Sequence, residues 1–390
     1  MLDVSGIRKL HREQFGKEPV VFMAPGRVNL IGEHTDYADG FVMPAAIDFA
    51  TLAAISLSSD GNATILSKNF GEAIERGLDT IGTRGSHHWS DYPFGVLSIL
   101  QQERIAVPGF RLTLDGDVPL GAGLSSSASI EVATMLAMLE MAGVSLPLPK
   151  IALLCQRAEN DYVGAPCGIM DQFVSCCGAT DHALLLDCRS LDYRLAPIPK
   201  HLSLVICNTM VKHSHAGGEY GSRRAEVEEG TAILKRHRPE IHLLRDATVE
   251  DLKRWGNEMP PNVLKRCRHI VTENTRTVAA ADALEANDLT TLGRLMAEAH
   301  ASYRDDFEAS CREADIMVEI ANKQDGCGGA RLTGGGFGGC TVNLVESARA
   351  EQFTSEIHTE YKKLTGIDAE IYRSHASAGA HKLEQNVPSS

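Results

Sequence analysis

Three glycine-rich stretches, each placed where a β-like run gives way, constrain this chain more than any other feature. They read APGRVNLIGEHTDYADG (Ala24–Gly40), VPLGAGLSSSAS (Val118–Ser129) and LTGGGFGGC (Leu332–Cys340). Glycine admits positive-φ backbone and lets the main chain approach a ligand or another loop closely. What each stretch can hold depends on the residues around its glycines.

In the second stretch Gly121, Ala122, Gly123 and Leu124 lead into Ser125, Ser126, Ser127 and Ala128, where a helical pattern begins. Free N–H groups and the helix dipole at such an end suit phosphate oxygens, and a serine hydroxyl there can ligate Mg²⁺. A serine N-cap that merely closes a loop accounts for the same residues. No G-x-x-x-x-G-K-[ST] occurs, which excludes a Walker-type P-loop. The third stretch contains G-x-G-x-x-G at Gly334, Gly336 and Gly339, but Cys340–Val345 after it reads as a strand. A dinucleotide fingerprint needs a helix at that point, so a glycine turn between two strands is expected and a nicotinamide oxidoreductase is set aside.

The first stretch packs Arg27, Glu33, His34, Asp36 and Asp39 into thirteen residues. Carboxylates accept hydrogen bonds from several hydroxyls, as sugar recognition requires, and an arginine can steady charge on a transferring phosphoryl group. A solvated, capped loop is the alternative. Asp171, in CGIMDQF, follows Glu159 by twelve residues. A small-molecule kinase needs one carboxylate to take or orient a hydroxyl proton and usually another to hold the metal. Either residue taken singly also fits an exposed helix surface.

Composition narrows the classes further. The chain has 390 residues, 43% of them hydrophobic and 23% charged, enough to bury a sizeable core in two domains or one large one. Lys plus Arg total 38 against 51 Asp plus Glu, a net charge of −13 that repels phosphate backbones and argues against nucleic-acid binding. The ten cysteines include no C-x-x-C pair and suit reduced thiols of a cytoplasmic enzyme. No run approaches the roughly 18 apolar residues of a membrane span. The opening MLDVSGIRKLHREQFGKEP lacks the apolar core of a signal peptide.

Periodicity predicts strands at Val20–Met23, Phe41–Ile47, Thr51–Ser58, Phe110–Asp115, His182–Leu186 and Leu202–Asn208. Helices are expected at Pro93–Arg104, Ser125–Ala142, Lys150–Val163 and Gly168–Cys177. Beyond residue 200 the pattern turns to long charged helices, Glu219–Arg238, Val263–Ala286 and Asp288–Ser302. Strands return at Gly329–Thr333, Cys340–Val345 and Ala369–Arg373, around a helix at Ala348–Thr365. HKLEQNVPSS at the end is expected to be a loose tail. The shift near residue 200 divides the chain into 1–200 and 201–390.

Together the three stretches resemble the galactokinases of the GHMP small-molecule kinase superfamily, over nearly the whole chain. RVNLIGEHTDY (Arg27–Tyr37) resembles the galactokinase signature, GAGLSSSAS the superfamily ATP loop and TGGGFGGC its third motif. CGIMDQF (Cys167–Phe173) and SHAGGEYGSRRAEVE (Ser214–Glu228) are similar as well. The resemblance implies an α+β, two-domain GHMP kinase fold, with an N-terminal domain like ribosomal protein S5 domain 2 and a ferredoxin-like C-terminal core with added helices. It implies that MgATP phosphorylates the C1 hydroxyl of galactose. Glu33, His34, Asp36, the backbone at Gly168 and Tyr220 would hold the sugar, with Arg27 and Asp171 flanking the anomeric hydroxyl. The loop Gly121–Ala128 would wrap the phosphates, Ser127 and Glu159 would ligate Mg²⁺, and Trp89 or Tyr92 would lie near the adenine.

This sequence departs from the family pattern at Ala38, where asparagine is usual, at His215 and the Gly217–Gly218 pair, and at Gly335. Ala38 leaves sugar specificity open. A related sugar 1-kinase acting on N-acetylgalactosamine, galacturonate or arabinose, and a sensor of galactose and ATP without turnover, are the alternatives. A monomer with small-molecule ligands, no nucleic acid and no membrane is the expectation.

Overall fold

A computed structural model describes residues 2–82, 84–212 and 216–384. His215 lies outside the described residues. In chain order the helices are α1 (Val4–Phe15), α2 (Asp91–Gln102), α3 (Ser126–Ala142), α4 (Leu148–Arg157), α5 (Met170–Cys177), α6 (Ala216–His237), α7 (Val249–Trp255), α8 (Pro261–Glu285), α9 (Leu289–Asp305), α10 (Arg312–Ala321) and α11 (Ala350–Thr365). The strands are β1 (Val20–Ile31), β2 (Phe41–Leu57), β3 (Asn62–Ser67), β4 (Glu72–Gly77), β5 (Phe110–Gly116), β6 (His182–Asp187), β7 (Tyr193–Pro197), β8 (Leu202–Lys212), β9 (Cys327–Leu332), β10 (Gly338–Glu346), β11 (Glu370–Ser374) and β12 (His381–Leu383).

Two sheets organise these elements. The first has eight strands in the order β12-β1-β2-β5-β3-β4, with β6 paired to β2 and β7 to β6. The second has four, in the order β11-β8-β10-β9. Helix α3 packs across β1 and β2, and α2, α4 and α5 complete a core around Phe94, Leu112, Met135 and Phe173. Strand β8 shows the period-2 logic directly. Leu204 and Ile206 face a cluster shared with β1 and β2, while Val205 and Cys207 face α10 and α11. The shared cluster runs from Val28 and Leu30 to Val342 and Leu344, so one buried apolar region joins the two sheets.

Several expectations need correction. Phe41–Ile47 and Thr51–Ser58 merge into one 17-residue strand ending at Leu57, because β1 pairs with β2 on both sides of a register shift that leaves Ile47–Phe49 out of the ladder, while β5 and β6 take parts of the other edge. The helix from Lys150 ends at Arg157, and Ala158–Val163 is a π-helical turn. In the terminal segment His381–Leu383 is a strand that pairs antiparallel with Met23–Val21, and residues 385–390 lie outside the described residues. Strands β3 and β4 went unread because β4 alternates mostly charged with apolar residues on a half-exposed edge. The third glycine stretch is, as expected, a turn between antiparallel strands, with Leu332 opposite Thr341.

Ile206 is fully buried where both sheets share a core. Ile206→Ala is expected to lower stability by about 2–5 kcal/mol in urea denaturation, and a loss under about 1 kcal/mol would contradict this packing.

Candidate active site

Arg27 lies in β1 just after a register shift against β2, which re-aims the strand, and Asp171 lies in the first turn of α5. Their side chains meet in a bidentate pair, Nε and Nη2 of the arginine each donating at 2.8 Å to one carboxylate oxygen. Paired planar groups of this kind give the strong, oriented form of the ionic hydrogen bond. The remaining Arg27 nitrogen donates to the Gly123 carbonyl, and its backbone N–H donates to the Leu124 carbonyl at 3.0 Å. The first and second glycine stretches are thereby joined at one guanidinium.

Ser125 stands at the N-cap of α3 with φ +61°, a left-handed conformation that non-glycine residues seldom adopt. It does not cap the helix. Its hydroxyl donates to the second Asp171 oxygen instead. With no side chain capping the start of α3, the first N–H groups around Ser126, Ser127 and Ala128 are left for another acceptor, the condition for an anion site. Gly121 and Gly123 have positive φ, and the residue after each, Ala122 and Leu124, is buried.

Above the Arg27–Asp171 pair opens a cavity of about 160 Å³ lined by Glu33, His34, Asp36, Cys167, Gly168, Tyr220, Gly334 and Gly335. Glu33 is 2% exposed and accepts from Arg331 at 3.1 Å and from the Gly334 N–H at 2.9 Å. His34 sits in an aromatic nest, its ring centroid 4.4 Å from Phe307 and 4.9 Å from Tyr220. Burial lowers its pKa to about 3, so the ring is neutral at physiological pH. The Gly335 carbonyl accepts from Nε2 at 3.4 Å, which leaves Nδ1 to accept from the Tyr37 hydroxyl at 3.1 Å. Asp36 is raised to about 6 by burial and by the Asp171 charge beside it. A Cβ on Gly168 would come within 1.8 Å of the Asp36 carboxylate, which explains glycine at that position. Three carboxylates around one cavity make it an acceptor-rich site for a ligand with several hydroxyls.

A second acidic pocket lies behind the start of α3. Glu159, from the π-helical turn, is 8% exposed, accepts from the Gln172 amide at 2.6 Å, and has the Ser127 hydroxyl as a further partner. Burial and the Asp171 charge raise its pKa to about 7. The same Gln172 nitrogen donates at 3.1 Å to Glu131, which is fully buried and pushed well above the carboxylate range by burial and by Glu159. Trp89 stacks on Phe70 at 5.6 Å and, with Leu114, Leu120, Ser126 and Ile130, lines a small apolar cleft beside the first turn of α3. Tyr92 does not join it. Its hydroxyl is raised to about 12 by burial and by the charges of Glu159 and Glu131, the carboxylates of the acidic pocket.

Arg331, Glu131 and Gln172 escaped the sequence reading. Arg331 is a charged residue inside the apolar strand GGARL, three positions before the glycine run, and is fully buried. Glu131 lies four residues after Ser127, on the same helix face, which was the available signal.

Comparison with known proteins agrees with this geometry. The galactokinase galactose-binding signature matches residues 9–57, the GHMP kinases N terminal domain residues 91–179 and the GHMP kinases C terminal domain residues 280–363. Galactokinase of Chloroflexus aggregans is 44% identical over 367 residues, 94% of each chain. That of Roseiflexus sp. is 41% identical over 388 residues, 99% of each chain. The crystal structure of Lactococcus lactis galactokinase complexed with galactose superposes with a TM-score of 0.93 at 35% identity, covering 97% of this chain and 100% of that one. A mevalonate kinase at 18% identity and a TM-score of 0.63, covering 91% of this chain and 98% of its own, shares the fold. The chain belongs to the galactokinase family and has the two-domain α+β fold of the GHMP kinases.

Proposed function

We propose that this chain transfers the γ-phosphoryl group of MgATP to the C1 hydroxyl of α-D-galactose, giving galactose 1-phosphate and ADP, the entry step of the Leloir pathway. The observation that carries this reading is the Arg27–Asp171 pair at the floor of an acceptor-rich cavity, bonded through Gly123 and Ser125 to the loop before α3. Glu33, His34, Asp36, the Gly168 backbone and Tyr220 hold the sugar. Asp171 takes or orients the C1 proton, and Arg27 holds Asp171 in place and steadies the phosphoryl oxygens. Gly121–Ala128 cradles the phosphates, and the cleft lined by Trp89 takes the adenine.

Ser127 and Glu159 would hold Mg²⁺. The fit rests on donor chemistry: Glu159 is a buried carboxylate whose partners Ser127, Cys167 and Gln172 are all neutral, and hard oxygen donors suit this cation. Bound there, the metal would neutralise charge on the terminal phosphates.

Two observations bear on the choice of sugar. Ala38 is buried in a cluster with Val227, Leu234 and Val263 and does not line the cavity, so the missing asparagine amide leaves the sugar site unchanged. Glu33, Asp36 and Asp171 would repel the carboxylate of galacturonate. The same reading divides the chain at residue 200, supported by β7 of the first sheet ending at Pro197 and β8 of the second opening at Leu202, with β12 alone returning to the first sheet among the described strands. It takes the enzyme as a cytoplasmic monomer, and ten free thiols support a reducing compartment.

In one coupled assay, galactose is expected to show the highest kcat/KM against N-acetylgalactosamine, galacturonate and arabinose, with steady ADP release. Preference for another of these sugars would overturn the substrate, and ligand binding without ADP release would indicate a sensor. Asp171→Asn should lower kcat by about 10²–10⁴-fold while galactose binding stays measurable by calorimetry. Near-normal turnover would remove Asp171 from the mechanism. Because the raised pKa of Glu159 leaves it protonated below about 7, Mg²⁺ affinity with a non-hydrolysable ATP analogue should fall as pH drops from 8 to 6. Glu159→Gln should weaken the metal and flatten that slope; equal slopes in both proteins would take Glu159 out of the metal site.

A further inference from the structure

Helix α8 turns one face toward the first glycine stretch, and most of that helix lies between the segments that match family domains, 91–179 and 280–363. His269, Glu273, Asn274 and Thr277 fall on this face, at the three- and four-residue spacings that stack side chains along a helix. Glu273 is fully buried, and its Oε1 accepts the Gly32 N–H at 3.0 Å. The neighbouring Asn274 accepts the Phe41 N–H through Oδ1 at 2.9 Å. Between them, the His269 ring nitrogen Nε2 lies 3.2 Å from the Glu33 carbonyl.

The glycines at the two ends of this segment match the same helix. Gly32 has φ +97°, and a Cβ there would come within 2.7 Å of the Phe41 carbonyl and 3.1 Å of the Thr277 hydroxyl. At Gly40 a Cβ would meet the Asn274 side-chain oxygen at 2.3 Å. Adjacent positions of one helix therefore pin both ends of a ten-residue arc, Gly32 to Phe41, and every polar side chain that this arc offers the cavity lies between the pins. Glu273 is itself held, its other oxygen accepting from Arg276 at 2.8 Å. None of the four residues lines the cavity.

We propose that Glu273 and Asn274 are positioning residues for the sugar, which set galactose affinity by fixing the ends of the Gly32–Phe41 arc. This rests on the reading that Glu33, His34 and Asp36 hold the sugar. Residues of α8, in the second half of the chain, thereby decide the shape of a site whose contacts come largely from the first half. A buried N–H left without its acceptor has a large cost, and the arc can recover it only by moving.

The test compares KM for galactose with KM for MgATP in the full-length enzyme. Glu273→Leu and Asn274→Ala are each expected to raise the galactose KM about tenfold or more, with the MgATP KM little changed. Glu273→Gln keeps an acceptor for Gly32 and should restore the galactose KM toward that of the parent enzyme. If Glu273→Leu fails to fold, the Asn274→Ala and Glu273→Gln variants decide the matter. An unchanged galactose KM, or equal rises for both substrates alongside a fallen Tm, would overturn the proposal. Glu33→Gln serves as the control: if it leaves galactose KM unchanged, the sugar-site reading fails, whereas a rise there with none in the α8 variants defeats the positioning role alone.

Discussion

The bidentate ion pair of Arg27 and Asp171 is the constraint on which the site depends. A buried guanidinium is tolerated only where its charge is paired and its N–H groups are satisfied, and here the partners are Asp171 and the carbonyl of Gly123. Those partners come from α5 and from the loop before α3, so satisfying one side chain brings together segments 96 and 144 residues away in the chain. Ser125 completes the arrangement by turning its hydroxyl to Asp171 and adopting a strained left-handed backbone to do so. Strain of this kind persists only where the surroundings over-determine it, which is the usual condition of a site built for chemistry.

Around that pair the electrostatics are unbalanced in a useful direction. Asp36 and Glu159 are raised by burial and by the nearby Asp171 charge, and Glu131 is raised by burial and by Glu159. Without ligands these carboxylates face one another at a cost. Sugar hydroxyls donating to Asp36, and a divalent cation beside Glu159, would each favour the ionised forms and relieve part of it. Unlike Asp36, Glu159 and Glu131, Glu33 has a built-in counter-charge, the fully buried Arg331, and its place is correspondingly fixed before any ligand arrives.

A cavity between two halves keeps its shape only if the halves keep their relation. Here the relation is set by the apolar cluster shared by β1, β2, β8 and β10, by α8 against the first sheet, and by β12, which carries the end of the chain back to pair with β1. The third glycine stretch sits at the join. Its Gly334 N–H and Gly335 carbonyl bond to Glu33 and His34, while Gly334 and Gly339 pass close to the carbonyls of Gly123 and Ala122. A Cβ at Gly334 would stand 3.2 Å from the Gly123 carbonyl and press the third stretch against the second.

The sequence alone was enough for the three glycine stretches, the serine-led helix α3, the strand-turn-strand character of Leu332–Cys340 and the family. Each is written in local chemistry: glycine where φ must be positive, periodicity where one face is buried, a run of ionisable groups in a loop. Tertiary structure decided the rest. Arg331 reaches Glu33 across 298 residues, Glu273 reaches Gly32 across 241, and Gln172 bridges Glu131 and Glu159. No local pattern marks such partners, because a buried polar side chain is selected by whichever distant group it must satisfy. The merging of two expected strands into β2 and the separation of Tyr92 from Trp89 have the same origin: neighbouring strands and packed helix faces, rather than a residue's own propensity, settle where a chain continues and which way a side chain turns.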